Sequence, residues 1–342
     1  MNISAGNPVP STDEIVLRLN DVHVAFRTDE GLVPAVRGAS FEVPKGKTLC
    51  LVGESGSGKS VTGLSILGLL GKNGGVTQGS IELTLSGGDT VDVSALGNSD
   101  PLLRAIRGGQ VGFIFQEPMS AMSPVHTIGN QISEVITTHH AVTKAEALKR
   151  SEQWLVRCGL SDPASIVGRY SFELSGGQRQ RAMIAMALAA EPGLVIADEP
   201  TTALDVTIQA NVLLLLKELQ EDIGMSMLFI THDLGVVAEM ADYVAVMYLG
   251  KVVEYGTVHE IFADAAHPYT KALLEAIPSP LSRGRRLESI QGSIPHPMRA
   301  PSGCPFHPRC GQFIDGICNK EEPEIVHLSR RHFAACHAVE TK

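Results

Sequence analysis

The segment that most constrains the fold of this chain is a glycine-rich loop that directly follows the apolar run 49–52. The loop consists of Gly53, Glu54, Ser55, Gly56, Ser57, Gly58, Lys59 and Ser60, and Val61 follows as the first residue of an apolar helical segment. The pattern GxxxxGK[ST] between a strand and a helix predicts a phosphate-binding loop, whose backbone N–H groups surround a phosphate at the positive end of the helix. We therefore expect ATP to be bound by Gly53, Ser55, Gly56, Ser57, Gly58, Lys59, Ser60 and Val61, with Lys59 at the β- and γ-phosphate oxygens and the Ser60 hydroxyl on Mg²⁺.

A pair of acidic residues lies at the end of a second apolar run. Residues 194–197 are apolar, and Asp198 and Glu199 follow them. Open α/β sheets bind their ligands at the carboxyl ends of the strands, so both carboxylates are candidates for the hydrolytic site. Asp198 fits a second partner for Mg²⁺, and Glu199 fits the residue that orients and deprotonates water. A solvated acidic strand end is the alternative, and the phosphate loop in the same chain argues against it.

A third motif lies between the other two in the sequence. It consists of Leu174, Ser175, Gly176, Gly177 and Gln178, and it precedes the apolar segment 182–190. Serine and glycine at a helix N-terminus form a second place for an anion. In this order and spacing the three motifs resemble those of ABC-transporter nucleotide-binding subunits, over about residues 14–265. The resemblance implies ATPase activity, and it implies that the third motif closes on the ATP bound by a partner subunit.

The same resemblance assigns roles to four further residues. Gln116 matches the glutamine that contacts Mg²⁺ and the attacking water, and His232 matches the histidine that contacts the γ-phosphate. Asp205, in the loop 203–205, matches the residue that meets the phosphate loop of the partner. Phe26 stands where the family has an aromatic side chain stacked on adenine, although an aromatic residue in such a run is often part of the core.

The order of the predicted elements indicates the fold class. Short apolar runs and glycine-rich turns predict strands in the N-terminal third, and helices at 128–138 and 145–158 then interrupt this pattern. Helix and strand alternate again over 178–262, which predicts a mostly parallel, doubly wound sheet. The segments 243–248 and 252–255 flank Leu249, Gly250 and Lys251 and predict a hairpin.

These elements and the family resemblance together predict an α/β protein with a P-loop NTPase (RecA-like) ABC ATPase core. We expect an antiparallel β subdomain, a helical subdomain at about 117–175 and a small cysteine-rich C-terminal extension. The predicted domains are 14–265 for nucleotide binding and 266–342 for the extension.

The extension resembles the C-terminal region of oligopeptide/dipeptide importer ATPases, through His267, Pro268, Tyr269 and Thr270, the pair Ile277-Pro278, and Cys304, Cys310, Cys318 and Cys336 with their neighbours. Four thiolates suit an iron–sulfur cluster or zinc, and unliganded thiols are the third possibility. The spacing lacks the paired CxxC pattern of zinc sites. Since some relatives carry a 4Fe–4S cluster here, the resemblance favours that group. We expect it to stabilise a module with little core of its own, far from the nucleotide.

Composition and resemblance together bound the function. The formal net charge of −9 argues against non-specific nucleic-acid binding. No secretory signal or run of about 18 apolar residues is found, so we expect membrane-spanning subunits to be separate chains. The resemblance implies an import motor at the cytoplasmic face of the cell membrane, most often for di- or oligopeptides. Its implied partners are two permease subunits, a second, related ATPase subunit with which it forms a heterodimer and, indirectly, a solute-binding protein.

Two departures from the family pattern affect this interpretation. Ser171 and Phe172 stand where peptide-type members have a Pro-His pair, which leaves sugars, opines or nickel open as cargo. The acidic-glycine stretch of exporters is absent before the third motif, which favours an importer. The alternative from another class is a soluble ABC ATPase that is not tied to transport.

Overall fold

The computed structural model describes residues 14–202, 204–277 and 290–339. Ala203 of the predicted loop 203–205 and Pro278 of the predicted extension motif lie outside these residues. The chain forms two compact units. The first contains the described residues up to Thr84, residues 90–95 and those from Ile230 onward; the second contains residues 85–89 and 96–229.

The strands are β1 (Ile15–Thr28), β2 (Gly31–Pro44), β3 (Thr48–Val52), β4 (Gly74–Thr84), β5 (Thr90–Asp92), β6 (Val111–Ile114), β7 (Leu194–Asp198), β8 (Ser226–Thr231), β9 (Tyr243–Tyr248), β10 (Lys251–Thr257), β11 (Ile325–His327) and β12 (Phe333–Ala335). The α-helices are α1 (Lys59–Ile66), α2 (Pro101–Gly109), α3 (Pro118–Ala121), α4 (Ile128–His139), α5 (Lys144–Arg157), α6 (Pro163–Ile166), α7 (Gly176–Leu188), α8 (Val206–Ile223), α9 (Leu234–Met240), α10 (Val258–Asp264) and α11 (Pro268–Glu275).

The first unit contains the antiparallel sheet that the sequence predicts, in the order β2-β1-β4-β5. Leu17 and Leu19 of β1 are completely buried, as the period of two requires, and Val22 and Val24 are buried beyond a shift in the register of the strand. Phe26 of β1 pairs with Val33 of β2 and with Gly74 of β4. The phosphate loop is not part of this sheet; it follows β3.

A second group of strands in the first unit has the order β11-β12-β10-β9-β3. β3 and β9 are parallel, whereas β9 and β10 form the predicted hairpin. Leu249 and Gly250 both have positive φ, 45° and 82°, which is the conformation that a two-residue hairpin turn needs. β12 pairs with β10, and the ring of Phe333 stacks on that of Tyr255 at 5.5 Å. The C-terminal extension therefore continues a sheet of the first unit instead of folding as a separate body.

In the second unit, β6 and β7 are parallel neighbours, with β8 next to β7. The two predicted helices are confirmed as α4 and α5. Thr127 and Thr143 cap their N-termini by accepting hydrogen bonds from Asn130 N and Glu146 N. The apolar stripe of each helix is buried, as shown by Ile132 and Leu155. None of the helices that the described residues form is long and apolar enough to cross a bilayer.

Candidate ATP site

The phosphate loop joins β3 to α1 in the first unit. Two of its positions, 53 and 58, require glycine because neighbouring backbone atoms approach them closely. Gly53 and Gly58 have φ of 152° and 104°. A Cβ on Gly53 would lie 2.2 Å from the carbonyl oxygen of Met247, and one on Gly58 would lie 2.6 Å from that of Ala35. Any other residue would clash at both positions. α1 begins at Lys59, two residues earlier than the predicted helical segment.

The polar groups of this loop fit a phosphate ligand. The Lys59 side chain is buried, and its Nζ donates to the carbonyl oxygens of Gly53 (2.7 Å) and Glu54 (3.1 Å). The Ser57 hydroxyl is completely buried and has no hydrogen-bond partner among the described residues. A Cβ on Gly56 would meet nothing within 4 Å, so the backbone there is open. A buried ammonium group, an unsatisfied hydroxyl and the first amides of α1 form a donor set that suits a polyphosphate.

Two of the predicted hydrolytic residues contact each other in the second unit. Gln116 Nε2 donates to Glu199 Oε2 at 3.0 Å, and Thr202 Oγ1 donates to the same oxygen at 2.9 Å. Glu199 has a φ of 45°, a left-handed conformation that costs a non-glycine residue on the order of 1 kcal/mol. Asp198 is the last residue of β7 and is 6% exposed. The Glu199 carboxylate contacts Gln116, whereas the adjacent Asp198 is buried at the end of β7.

Gln180 is a further polar residue that the sequence analysis missed. It lies on α7, is 2% exposed, and donates from Nε2 to the carbonyl oxygen of Pro200 at 2.6 Å. Pro200 follows Glu199, so the helix after the third motif fixes the turn that carries the acid. Gln180 lies between Arg179 and Arg181 in the polar first turns of α7, so no local sequence pattern marks it as buried. Thr202 was also missed, and nothing in its local sequence distinguishes it.

The third motif has the geometry of a capped helix start. Ser175 is the N-cap of α7: its Oγ accepts from Gln178 N at 3.3 Å, while Gln178 Oε1 accepts from Ser175 N at 3.0 Å. Leu174 is buried, whereas Ser175 and Gly176 are exposed. The predicted serine-glycine helix N-terminus is therefore confirmed and its first residues face solvent.

Three further predicted site residues are Asp205, His232 and Phe26. Asp205 caps α8, because its Oδ1 accepts from Ile208 N at 2.9 Å. His232 follows β8 and is exposed. Phe26 is half-buried, and its ring lies so close to Gly74 that a Cβ there would be 2.5 Å from Phe26 Cε1. Their contacts with a nucleotide or a partner stay predictions.

All six cysteines are free thiols. In the extension, Cys304 N donates to the carbonyl oxygen of Cys318 at 2.9 Å. Burial raises the pKa of the Cys304 thiol to about 11, and the neighbouring Cys336, Cys318 and Cys310 thiols add to this increase. Among residues 14–202, 204–277 and 290–339, no three Cys, His, Asp or Glu side chains are arranged to hold a metal ion. The donor type therefore fits a thiolate-bound cluster, whereas the described arrangement is not that of a formed site.

The extension contacts the phosphate loop, which the sequence analysis did not anticipate. Arg309, next to Cys310, donates from Nη1 to Glu54 Oε2 at 2.8 Å and from Nη2 to Glu54 Oε1 at 3.0 Å. The module also has more core than its composition predicts, since Phe306 is 2% exposed and contacts the rings of Tyr248 and Tyr269. The contact between Arg309 and Glu54 was not anticipated because 255 residues separate the two in the sequence, and no local pattern reveals such a pair.

Comparison with known proteins gives the same assignment as the motifs. Residues 36–202 match the family model "ABC transporter", and residues 253–318 match "Oligopeptide/dipeptide transporter, C-terminal region". The chain is similar to the oligopeptide transport ATP-binding protein AppD of Bacillus subtilis, with 46% identity over 92% of this chain and 94% of that protein. It is equally similar to the dipeptide transport ATP-binding protein DppD of Lactococcus lactis, with 46% identity over 94% of this chain and 90% of that protein.

The fold has a solved counterpart. The ATP-binding cassette MJ0796, in a dimeric post-hydrolysis state bound to ADP and Pi, superimposes with a TM-score of 0.62 and 27% identity. The match covers 71% of this chain and 98% of that one. The predicted α/β ABC ATPase fold is therefore confirmed. On its motifs, its fold and its relatives, this chain belongs to the ABC transporter family of ATPases, with the C-terminal region of the oligopeptide/dipeptide transporters.

Proposed function

We propose that this chain is the ATP-hydrolysing subunit that powers an importer of di- or oligopeptides. The observation that supports this proposal is that the phosphate-loop core and the oligopeptide/dipeptide C-terminal region occur in one chain. Relatives named for oligopeptide and dipeptide transport share 46% of its residues along nearly its whole length. Residues 14–265 form the nucleotide-binding domain of this proposal, and 266–342 the extension.

In the first unit, the proposed role of Lys59 is to exchange the carbonyls of Gly53 and Glu54 for the phosphate oxygens of bound ATP. Its burial supports this role, because a desolvated ammonium group interacts more strongly with an anion than an exposed one does. Ser57 would gain a partner for its buried hydroxyl. Ser60 contributes a hydroxyl to Mg²⁺, and His232 contacts the γ-phosphate.

In the second unit, Asp198 and Gln116 are the proposed oxygen ligands of Mg²⁺, which when bound neutralises phosphate charge. Glu199 orients the attacking water and accepts its proton. The hydrogen bonds from Gln116 and Thr202 support this role, since two neutral donors orient the carboxylate without removing its charge. Positioned proton transfer of this kind contributes about 10²–10⁴-fold to a rate.

The proposed dock for the permease subunits is an apolar patch on the second unit, made of Val125, Tyr170 and Phe172. Val125 is 73% and Phe172 59% exposed, and the rings of Tyr170 and Phe172 stack at 5.5 Å. An antiparallel bridge between Thr127 and Tyr170 brings the two segments together. Exposed clustered apolar side chains of this kind favour a partner surface. The chain would then work at the cytoplasmic face of the membrane, beside a second ATPase subunit.

The proposed function is tested on a tagged chain purified with its membrane complex from the native cell. We expect mass spectrometry to identify permease subunits, and peptide-loaded solute-binding protein to stimulate ATP hydrolysis. A cysteine introduced at Val125 should cross-link to a permease, whereas one at Leu214, an exposed apolar residue of α8, serves as the matched control. Cross-links and co-purification with soluble proteins alone would favour a cytosolic ATPase. Stimulation by nickel or sugar but not by peptide would change the cargo.

The four cysteines are proposed to bind one 4Fe–4S cluster with a structural role. The proposal is supported by the proximity of Cys310, Cys318 and Cys336 to Cys304 and by the fact that all four are free thiols. Protein purified without oxygen should contain iron and absorb broadly near 400 nm, and Cys310→Ser should abolish both signals while Cys158→Ser, a buried cysteine of the other unit, should not. Stoichiometric zinc, or no metal, in the anaerobic protein would refute the cluster.

A further inference from the structure

The second residue of the phosphate loop, Glu54, is held by the C-terminal extension. Its backbone N–H donates to the Tyr269 hydroxyl at 2.9 Å, and its carboxylate makes two hydrogen bonds with Arg309. Its carbonyl oxygen accepts from Lys59 Nζ at 3.1 Å. All three polar groups of Glu54 therefore have partners, and two of these partners belong to the extension. The loop cannot change its conformation at this residue without breaking contacts to the extension.

Arg309 is fixed by more than its ion pair. The side chain is 4% exposed, and it also donates to the carbonyl oxygens of Gln291 (2.9 Å) and Gly292 (3.4 Å) and to the Tyr248 hydroxyl (3.4 Å). The guanidinium carbon lies 5.8 Å from the ring centre of Tyr248 and 6.0 Å from that of Phe306. Arg309 makes two parallel hydrogen bonds with the Glu54 carboxylate, and its other contacts fix the guanidinium in place. The ion pair between Arg309 and Glu54 therefore has a defined geometry, unlike a mobile salt bridge on the surface.

An aromatic cluster links the elements that carry these partners. The rings of Tyr248, Tyr269 and Phe306 are in mutual contact, with centroid distances of 4.8, 5.2 and 5.3 Å. Tyr248 ends β9, Tyr269 lies in the first turn of α11, and Phe306 lies between Cys304 and Cys310. A displacement of the cysteine segment would therefore move Arg309 and the Tyr269 hydroxyl together.

The charge of Glu54 explains why such a clamp is needed. The Glu54 side chain is 30% exposed, and its carboxylate, in the loop that binds phosphate, would repel the nucleotide. The Arg309 guanidinium neutralises this carboxylate. Loss of Arg309 would leave a half-buried, unpaired negative charge in the loop, which is a larger perturbation than loss of both partners.

We propose that Arg309 is a positioning residue of the nucleotide site, which neutralises Glu54 and thereby makes nucleotide affinity depend on the four-cysteine module. This inference rests on the proposed role of the loop in binding ATP, and it adds the extension to the determinants of that binding. Because coupling between two sites is reciprocal, bound nucleotide must also stabilise the module.

The test compares the Kd of a fluorescent ADP analogue with Mg²⁺ for the full chain and four variants. Arg309→Gln should weaken binding roughly tenfold or more, as expected for loss of a charged hydrogen-bonded partner. Glu54→Gln should bind at least as well as wild type. The double variant Arg309→Gln/Glu54→Gln should recover to within about threefold of wild type, since it leaves no unpaired charge. Arg299→Gln, which removes an exposed arginine of the same extension, should have no effect.

A second measurement follows the reciprocal effect. Hydrogen exchange of peptides covering 304–318 should slow when the ADP analogue binds wild type, and this slowing should disappear in Arg309→Gln. The double variant leaves no unpaired charge and is expected to fold even if Arg309→Gln is unstable. Its Kd therefore still tests the role of the charge on Glu54.

Three results bear on the proposal in different ways. Equal Kd values for wild type, Arg309→Gln and Arg299→Gln would overturn it. A double variant that binds as poorly as Arg309→Gln would also overturn it, because the arginine would then act through packing and not through the charge of Glu54. A wild-type chain that binds no nucleotide would refute the proposed function itself, a failure distinct from both of these.

Discussion

The buried histidine at the start of the extension should make the stability of this region depend on pH. His267 is 1% exposed, and its Nδ1 accepts from Tyr269 N at 3.0 Å, which caps α11. Burial lowers the pKa of His267 from 6.5 to about 4; the negative charge of Glu254 opposes this shift and Lys271 assists it. The neutral ring is therefore the form that the folded protein selects.

The sign and size of the effect follow from proton counting. Between pH 6.5 and about 4 the opened state binds a proton on His267 that the folded state does not bind, so stability falls as the pH falls through this range. The full effect is about 3 kcal/mol, at about 1.4 kcal/mol for each pH unit between the two pKa values. At pH 5 roughly 2 kcal/mol is lost relative to pH 7.5, which corresponds to about a 30-fold increase in the opening constant.

The carboxylate next to His267 contributes at lower pH. Glu254 is completely buried and accepts from Ala266 N, His267 N and His332 Nε2. Burial alone would raise its pKa, but these hydrogen bonds outweigh it and lower the pKa from the ordinary 4.5. The stability that Glu254 contributes is present above pH 4.5 and is lost only below it, so a measurement at pH 5 reports mainly on His267.

The assay is hydrogen exchange of peptides covering residues 254–275, corrected for the intrinsic pH dependence of exchange. The matched variant is His267→Asn, since asparagine can still cap α11 through its carbonyl oxygen but does not titrate. We expect protection of the wild type to fall about 30-fold between pH 7.5 and 5, and that of the variant to change far less. Equal pH dependence in both proteins would refute the assignment to His267.

Three further predictions test the loop and the acidic turn. Glu199→Gln should retain ATP binding while the ATPase rate falls by about 10²–10⁴-fold, and near-normal turnover would contradict its role. Gly58→Ala should abolish nucleotide binding, because the added Cβ would lie 2.6 Å from a carbonyl oxygen. In the control Gly71→Ala, the residue also has a positive φ but the added Cβ meets nothing within 4 Å, so the substitution should cost only about 1 kcal/mol of stability and leave binding unchanged. Gln180→Leu should lower kcat with little change in KM, since it leaves the carbonyl after Glu199 without its donor; a lower melting temperature with unchanged kcat would show a purely structural role.

Local patterns predicted the elements that local physics determines. The hairpin of β9 and β10, the cap at Ser175 and the helices α4 and α5 lie where the sequence places them, because turn residues, N-cap residues and apolar periodicity act over a few positions. The role of Gln116 was expected only through family resemblance, and its contact with Glu199 was not predicted, since 83 residues separate them. Gln180 and Thr202 were not predicted as site residues because their role depends on the backbone turn at Glu199 and Pro200, which they contact.

The extension was misjudged because composition describes a segment in isolation. Its prolines and cysteines suggested a module that needs a metal to fold, whereas β12 pairs with β10 and the ring of Phe333 stacks on Tyr255. The extension buries apolar surface against the rest of the first unit, and the amino-acid composition of the extension alone does not reveal this burial.

The contacts of the extension also change what a metal cluster could do in this protein. Arg309 and Phe306 belong to the segment that carries Cys304 and Cys310; Arg309 contacts Glu54 directly, and Phe306 contacts Tyr269, whose hydroxyl accepts from Glu54 N. Ligation of the thiols would restrict this segment, and the restriction would reach the phosphate loop through the Arg309 fork without any movement of the nucleotide motifs themselves.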